Sequence, residues 1–292
     1  MSEVKKYTLG PDIHGEVHDT SELQAYILDG LVEIDRVCRK NDIPYALSFG
    51  STLGLVNYQG FIPWDDDADV VIDYFDIPRF VEAFKKDLSD KYTLEGYETD
   101  KRYNVLIPTF KLRIKDTYQK EANWFWLPNK CKNGSGFFID ICAFMGVPEE
   151  KKKHKRLLRK AKWMMPWFTL VDALFRINPR LMKRSLKKHE AKNALKYKDS
   201  NMVSQSIIIP WQDMPKIVHE NAFPREVIYP FKEYDFAGKK LYSFADPVTF
   251  VKLRYGEDAV IKKDKDGNPI ETYPEKKRVL EHTKKYAFHK VK

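Results

Sequence analysis

The sequence predicts an α+β protein: a mixed sheet flanked by helices, with a basic helical insertion and a C-terminal hairpin and helix. Three observations predict it. Leu23, Ile27, Leu31, Ile34 and Val37 recur at helical spacing. Short apolar runs near 44–49, 105–114 and 137–142, with the β-branched Val70-Val71-Ile72, have strand character. A strand pair around Gly238 precedes a helix start at Asp246-Pro247.

The bulk properties narrow the class. At 292 residues and 34.4 kDa, with 43% hydrophobic residues, the chain reads as folded and globular. No apolar run follows the early lysines, so no cleaved secretory signal is expected. No run reaches the roughly 18 to 20 apolar residues that span a bilayer. Cys38, Cys131 and Cys142 are odd in number and lack CxxC spacing, which argues against a disulfide framework and a zinc site. A reducing cytoplasm is the expected location. The expected division is a leader (1–20), a core (21–148), a basic aromatic helical insertion (149–200) and a C-terminal part packing on the core (201–292).

In order along the chain, a helix is predicted over 21–40, with Ser21 and Gln24 as a capping box. Asn41-Asp42 breaks it, and PYALSF forms a short strand ending at Gly50. A strand running into Gly50, Ser51 and Thr52 and then a short helix offers backbone N–H groups and two hydroxyls to phosphate oxygens. For an isolated Gly-Ser pair an ordinary strand-to-helix turn is the commoner explanation. VNYQGFIPW reads as a loop.

Asp65, Asp66, Asp67 and Asp69 then crowd into five positions. So much like charge is costly unless a cation neutralises it. Residues i and i+2 of a strand share a face, which would set Asp67 and Asp69 side by side, roughly 6 to 7 Å apart at the backbone. Such a pair suits Mg²⁺, with Mn²⁺ as an alternative, because Mg²⁺ is held by few carboxylates plus water and substrate phosphates. A calcium-binding or merely solvated acidic loop is the rival reading, weakened by the buried strand that follows at once.

A helix over about 76–88 and strands near 91–98 and 105–114 come next. Lys111 and Arg113 share one strand face, where they would contact phosphates or simply cover an exposed sheet. The loop 116–135 contains Trp124, Phe125 and Trp126. With Trp64, the two tryptophans are candidate aromatic contacts for a cationic group, although packing is the commoner role. Asp140 stands alone among Phe137, Phe138, Ile139, Ile141 and Cys142. A carboxylate in such a strand needs a partner, which makes it the candidate third metal ligand.

The net charge is +9, and residues 151–192 hold fifteen Lys or Arg against only Asp172 and Glu190. The run KKKHKRLLRKAK, an apolar centre WMMPWFTLVDALF and a second basic run fit either a segment lying on an anionic membrane or a helical insertion with solvated lysines. Nucleic acid is the less favoured partner, because no binding module accompanies the charge. The tail beyond Lys262 reads as exposed.

The stretch GSTLGLVNYQGFIPWDDDADV resembles the signature of the LicD family of phosphocholine transferases, fukutin-like members of the polymerase-β-type nucleotidyltransferase superfamily. GFFIDICAFMGVP is similar to the family's later Ile-Asp-Ile strand. Residues 222–258, ending in Leu-Arg-Tyr-Gly, resemble its C-terminal block. The resemblance implies a nucleotidyltransferase-like sheet and an Mg²⁺-dependent transferase. It implies that Gly50 and Ser51 hold donor phosphate, with Thr52, Lys111 and Arg113 as further candidates, and that Asp67, Asp69 and Asp140 bind the metal. Asp65 and Asp66 would be helpers, and a carboxylate among Asp65, Asp66 and Asp140 would take the acceptor proton. The implied donor is CDP-choline or a related CDP-activated alcohol, with Trp64, Trp124 and Trp126 as choline contacts. The implied acceptor is a hydroxyl of a cell-surface glycan, lipopolysaccharide or teichoic acid precursor, reached on its lipid carrier at the inner face of the membrane. The rivals are a metal-dependent glycosyltransferase using a nucleotide sugar and a non-enzymatic binder of nucleic acid or anionic polymer.

Overall fold

The computed structural model describes residues 11–100, 103, 110–119, 136–159, 167, 180–205, 222–262, 265 and 286–287. Its architecture is the α+β arrangement read from the sequence. A seven-stranded mixed sheet has the order β1 (Tyr45–Leu47), β2 (Asp69–Asp73), β6 (Phe138–Gly146), β4 (Phe110–Ile114) and β3 (Tyr92–Glu95). The strand β6 is long enough to pair on one edge first with β4 and then with β7 (Met202–Gln205), which pairs in turn with β8 (Ala222–Pro224). Among the described strands, β2 and β6 form the sheet's parallel pair. A two-residue pairing joins β5 (Tyr118–Gln119) to β11 (Tyr286–Ala287).

Strand alternation divides the interior into two apolar layers. On β2, Val70 and Ile72 enter one cluster and Val71 the other; on β1, Tyr45 and Leu47 part from Ala46 in the same way. The first layer lies under α1 (Thr20–Lys40), whose Leu23, Ile27, Leu31, Ile34 and Val37 are all buried against Leu112, Ile139 and Ile141. Gly30 lets this helix approach β6, since a Cβ there would lie 2.7 Å from Ile139 Cδ1. Helix α3 (Ile77–Asp87) adds Phe80 and Phe84. The second layer lies under α2 (Phe49–Tyr58) and collects Phe144, Phe223, Phe244 and Phe250.

The cap of α1 differs from the expected one. Asp19 is the N-cap, its carboxylate accepting from the N–H groups of Ser21 and Glu22. An acceptor two residues earlier in the chain displaces the capping box and leaves Gln24 for another task. The described end of the expected loose leader is also ordered locally: Asp12 Oδ1 accepts from the N–H groups of His14 and Glu16, and His18 Nδ1 lies 2.9 Å from Glu22.

A second correction concerns VNYQGFIPW. Val56, Asn57 and Tyr58 continue α2, and the loop begins at Gln59. Asn57 is a weak helix former, but it is buried and doubly bonded, donating to Ala259 O at 2.9 Å and accepting from Ile261 N at 3.2 Å. Those tertiary bonds outweigh its propensity.

Within the basic segment, α4 (residues 151–159) turns His154 and Leu158 inward and leaves Lys151–Lys153 exposed. Helix α5 (Arg180–Lys196) buries Leu186, Glu190 and Ala194 and pairs Lys187 with Glu98. The apolar centre 160–179 lies outside the described residues apart from Trp167, which is helical and exposed. No helix among the described residues is long and apolar enough to cross a membrane.

The C-terminal part contains the expected hairpin and helix. Strands β9 (Lys232–Phe236) and β10 (Lys239–Ser243) form the hairpin, with Ala237 and Gly238 both at positive φ in its turn, the demand of a tight hairpin. Asp246 caps α6 (Pro247–Tyr255), accepting from Thr249 N at 3.0 Å, and Gly256 ends it.

Candidate functional site

A row of charge crosses the sheet. Asp69 on β2 is in register with Asp140 on β6, Asp140 with Lys111 on β4, and Lys111 with Glu95 on β3. Register and alternation put Asp69, Asp140 and Lys111 on the α2 face, with Val71 and Phe144. Lys111 is 4% exposed, with Nζ 2.6 Å from Asp140 Oδ1 and 3.7 Å above the Phe138 ring. Asp140 therefore has the partner that a carboxylate in an apolar strand requires.

Neither basic side chain covers an exposed sheet face, which was the bland alternative. Arg113 is 2% exposed, donating from Nε to Glu95 at 3.0 Å and from Nη1 to Gly136 O at 3.2 Å. Its guanidinium is engaged in structural bonds, whereas Lys111 reaches the acidic row.

The acidic loop between α2 and β2 closes over this row. Asp67 precedes β2 rather than lying in it, so the pleat argument that set it beside Asp69 does not apply. The loop instead folds Asp65, Asp66 and Asp67 together, with one carboxylate oxygen from each lying within 4.8 Å of the other two. That gathering differs from the set Asp67, Asp69 and Asp140 expected from the sequence. Burial, reinforced by Asp67, Asp66 and Asp69, pushes the Asp65 carboxyl well above its ordinary range. Burial and then the charges of Asp67 and Asp140 do the same to Asp69. All five aspartates thus belong to one electrostatic centre.

Helix α2 starts against that centre. Phe49 takes a φ of +42°, a costly conformation for a bulky residue, which turns β1 sharply into the helix. Gly50 follows, its N–H 3.3 Å from Asp69 Oδ2. A Cβ at Gly50 would lie 3.2 Å from Asp65 Oδ2, a tight approach, and 3.6 Å from Asp69 Oδ2, an ordinary contact, so glycine gives the Asp65 carboxylate its room. Ser51 Oγ accepts from Asp69 N at 2.9 Å, tying the helix to the head of β2. Thr52 is buried and donates to Leu47 O at 2.9 Å. The two hydroxyls therefore hold the junction together, and the Ser51 hydroxyl keeps its proton to donate.

Gln24, unremarked as a site residue in the sequence, fixes the loop from outside. Its Nε2 donates to Ile62 O at 2.9 Å and to Asp65 O at 3.0 Å. Trp64, within this loop, is buried and packs edge-on against Tyr58 at 6.3 Å, so it presents little ring face to a ligand. Trp124 and Trp126 lie outside the described residues.

The donor set is all carboxylate oxygen, the ligand type of hard divalent cations. Aspartates held close together, Asp66 buried and the others half-buried, fit such an ion, because an ion relieves the repulsion that raises their proton affinity. Asp65, Asp66, Asp67, Asp69 and Asp140 are the residues that would hold it.

Comparison with known proteins gives this region a family likeness. Residues 42–166 match the model for the LicD/FKTN/FKRP nucleotidyltransferase domain, a stretch that contains α2, the acidic loop, β2 and β6. Over 157 residues the chain is 29% identical to lipopolysaccharide cholinephosphotransferase LicD of Haemophilus influenzae, across 49% of this chain and 55% of that protein. The chain thus spans about half the length of the curated relative it matches.

Proposed function

With residues 42–166 similar to the LicD/FKTN/FKRP nucleotidyltransferase domain, we propose that the protein transfers an alcohol phosphate, phosphocholine or a close analogue, from a CDP-activated donor to a hydroxyl of a cell-envelope glycan precursor. The observation that carries the reading is the meeting of the Asp69–Asp140 pair, the Asp65–Asp67 loop and the start of α2 at one point of the sheet.

In the proposed reaction the acceptor hydroxyl oxygen forms a bond to the phosphorus carrying the alcohol, and the bond from that phosphorus to the CMP oxygen breaks. The hydroxyl proton passes to a carboxylate, and CMP leaves as the anion. Such transfers depend on positioning and charge neutralisation more than on covalent help. A bound Mg²⁺ would supply charge neutralisation at the phosphate oxygens. The chain's own residues supply the rest. Gly50 and Ser51 offer N–H and O–H donors at the start of α2, and Lys111 brings a buried cation beside Asp140. Asp65, whose proton affinity burial raises, suits the role of proton acceptor.

The exposed Lys151–Lys153 on α4 support peripheral contact with an anionic membrane carrying the acceptor. Salt-sensitive binding to phosphatidylglycerol vesicles, lost on Lys151–Lys153→Glu, is the expected result. Binding unchanged by that substitution removes the membrane role.

The donor is tested by following CMP release from CDP-choline, CDP-glycerol and CDP-ribitol with Mg²⁺ and an envelope-glycan extract as acceptor. UDP-sugars serve as the competing class. CMP release from a CDP-alcohol is expected, and turnover of UDP-sugars alone would replace this reading with a glycosyltransferase.

A further inference from the structure

The proposed donor brings at least two negatively charged phosphates to a centre made of five aspartates, so it needs cationic contacts from the protein. The cations on the sheet are largely committed: Lys111 to Asp140 and Arg113 to Glu95. Arg254, on the last turn of α6, is different. Its guanidinium lies 5.6 Å from the centroid of the Phe49 ring and 5.5 Å from that of Tyr255. Among the described residues it makes no ion pair, and its Nε is shielded from solvent without a hydrogen-bond acceptor. A buried donor without an acceptor is costly, and a guanidinium is suited to phosphate oxygens, which it grips with two parallel N–H groups.

Its position is fixed by packing. Phe49 sits 6.1 Å from Phe250, one turn before Arg254 on α6, and 6.1 Å from Phe144. The residue under the guanidinium is thus the one that immediately precedes Gly50. Ser48, the N-cap of α2, is fully buried and its hydroxyl makes no hydrogen bond, capping or otherwise. An uncommitted guanidinium and an uncapped helix of ten residues therefore meet at the strained Phe49.

We propose that Arg254 is an anion-binding residue of this site and takes a phosphate of the nucleotide donor at the start of α2. This rests on the donor reading above and adds a contact supplied by the C-terminal part of the chain. Phe49 and Tyr255 hold the guanidinium by cation–π attraction, so it is positioned before the donor arrives.

The test is calorimetric titration of CDP, inorganic pyrophosphate and cytidine, each with Mg²⁺, into the wild-type chain, Arg254→Met and Arg254→Lys. Met keeps the apolar stem over Phe49, and thermal midpoints check folding. About a tenfold loss of CDP and pyrophosphate affinity in Arg254→Met is expected, with Lys intermediate and cytidine affinity unchanged. CDP binding by Arg254→Met equal to wild type would overturn the role of Arg254 and leave the donor reading standing. Wild-type chain that binds neither CDP nor pyrophosphate would overturn both. If Arg254→Met does not fold, Arg254→Lys alone decides, since undiminished affinity there rejects a forked guanidinium contact.

Discussion

Asp69 and Asp140 lie directly opposite each other in the parallel pairing of β2 and β6. Two carboxylates in register on one face repel, and among the described residues a buried ammonium, that of Lys111, lies on the far side of Asp140. Asp69 is left with the excess charge.

Neutralising that excess has opposite effects on folding and on transfer. Asp69→Asn removes a buried like charge, so the protein in EDTA should melt at a higher temperature than wild type. Transfer should fall by about 10²–10³-fold, the scale of losing one electrostatic contact to a transition state. Melting curves and CMP release on the same preparation check both. A mutant that is less stable and fully active contradicts the assignment.

The raised carboxyls of Asp65 and Asp69 give a pH dependence of definite sign. A group whose proton affinity rises on folding contributes stability that is complete below its unfolded pKa and is lost as pH rises through its folded pKa. The cation-free protein should therefore lose this contribution from acid toward neutral pH, and Mg²⁺ should restore it most at the higher pH. Thermal midpoints at pH 5 and pH 8, with EDTA or Mg²⁺, test this. Equal Mg²⁺ increments at the two values would count against a cation among these aspartates.

Gln24 predicts an effect at a distance from the chemistry. Gln24→Leu cuts both bonds to the Ile62–Asp65 loop, at a cost of roughly 1–3 kcal/mol in stability. If the loop presents Asp65–Asp67 to a cation, Mg²⁺ affinity should fall about tenfold, the equivalent of about 1.4 kcal/mol. Calorimetry on the variant is the check, and Gln24→Asn, too short to reach, should behave alike. Unchanged affinity would make Gln24 a structural residue only.

His154 supplies a control remote from the site. Burial alone pushes its imidazole down to about 4, so the neutral form is the native one. Stability from this residue is complete above the ordinary histidine range and lost as pH falls toward 4, by up to ~3 kcal/mol. His154→Phe should flatten acid denaturation between pH 6.5 and 4. An identical acid profile in the variant contradicts a buried neutral His154.

What was legible in the sequence was local. The periodicity of α1, the turn at Gly238 and the Asp246 cap each depend on neighbours a few residues away, and each appears where expected. The pairing of Asp69 with Asp140 required only that two acidic strands share a sheet. Asp67 lies two residues before β2, so strand parity alone does not place it, although its charge acts on Asp69. Gln24 escaped notice because its acceptors lie 38 and 41 residues on. Arg254 did so because its ring partner Phe49 lies far earlier in the chain. Long-range partners of this kind leave no periodic trace in a single sequence.

In the proposed reaction the five aspartates and the start of α2 bind a CDP-activated donor together with a divalent cation. Calorimetric titration of CDP-choline into wild-type protein and Asp69→Asn, with Mg²⁺ and with EDTA, tests it most directly. Binding by the wild type that requires Mg²⁺ and is lost in Asp69→Asn is the expected result. Equal binding in EDTA, or by the variant, would contradict it.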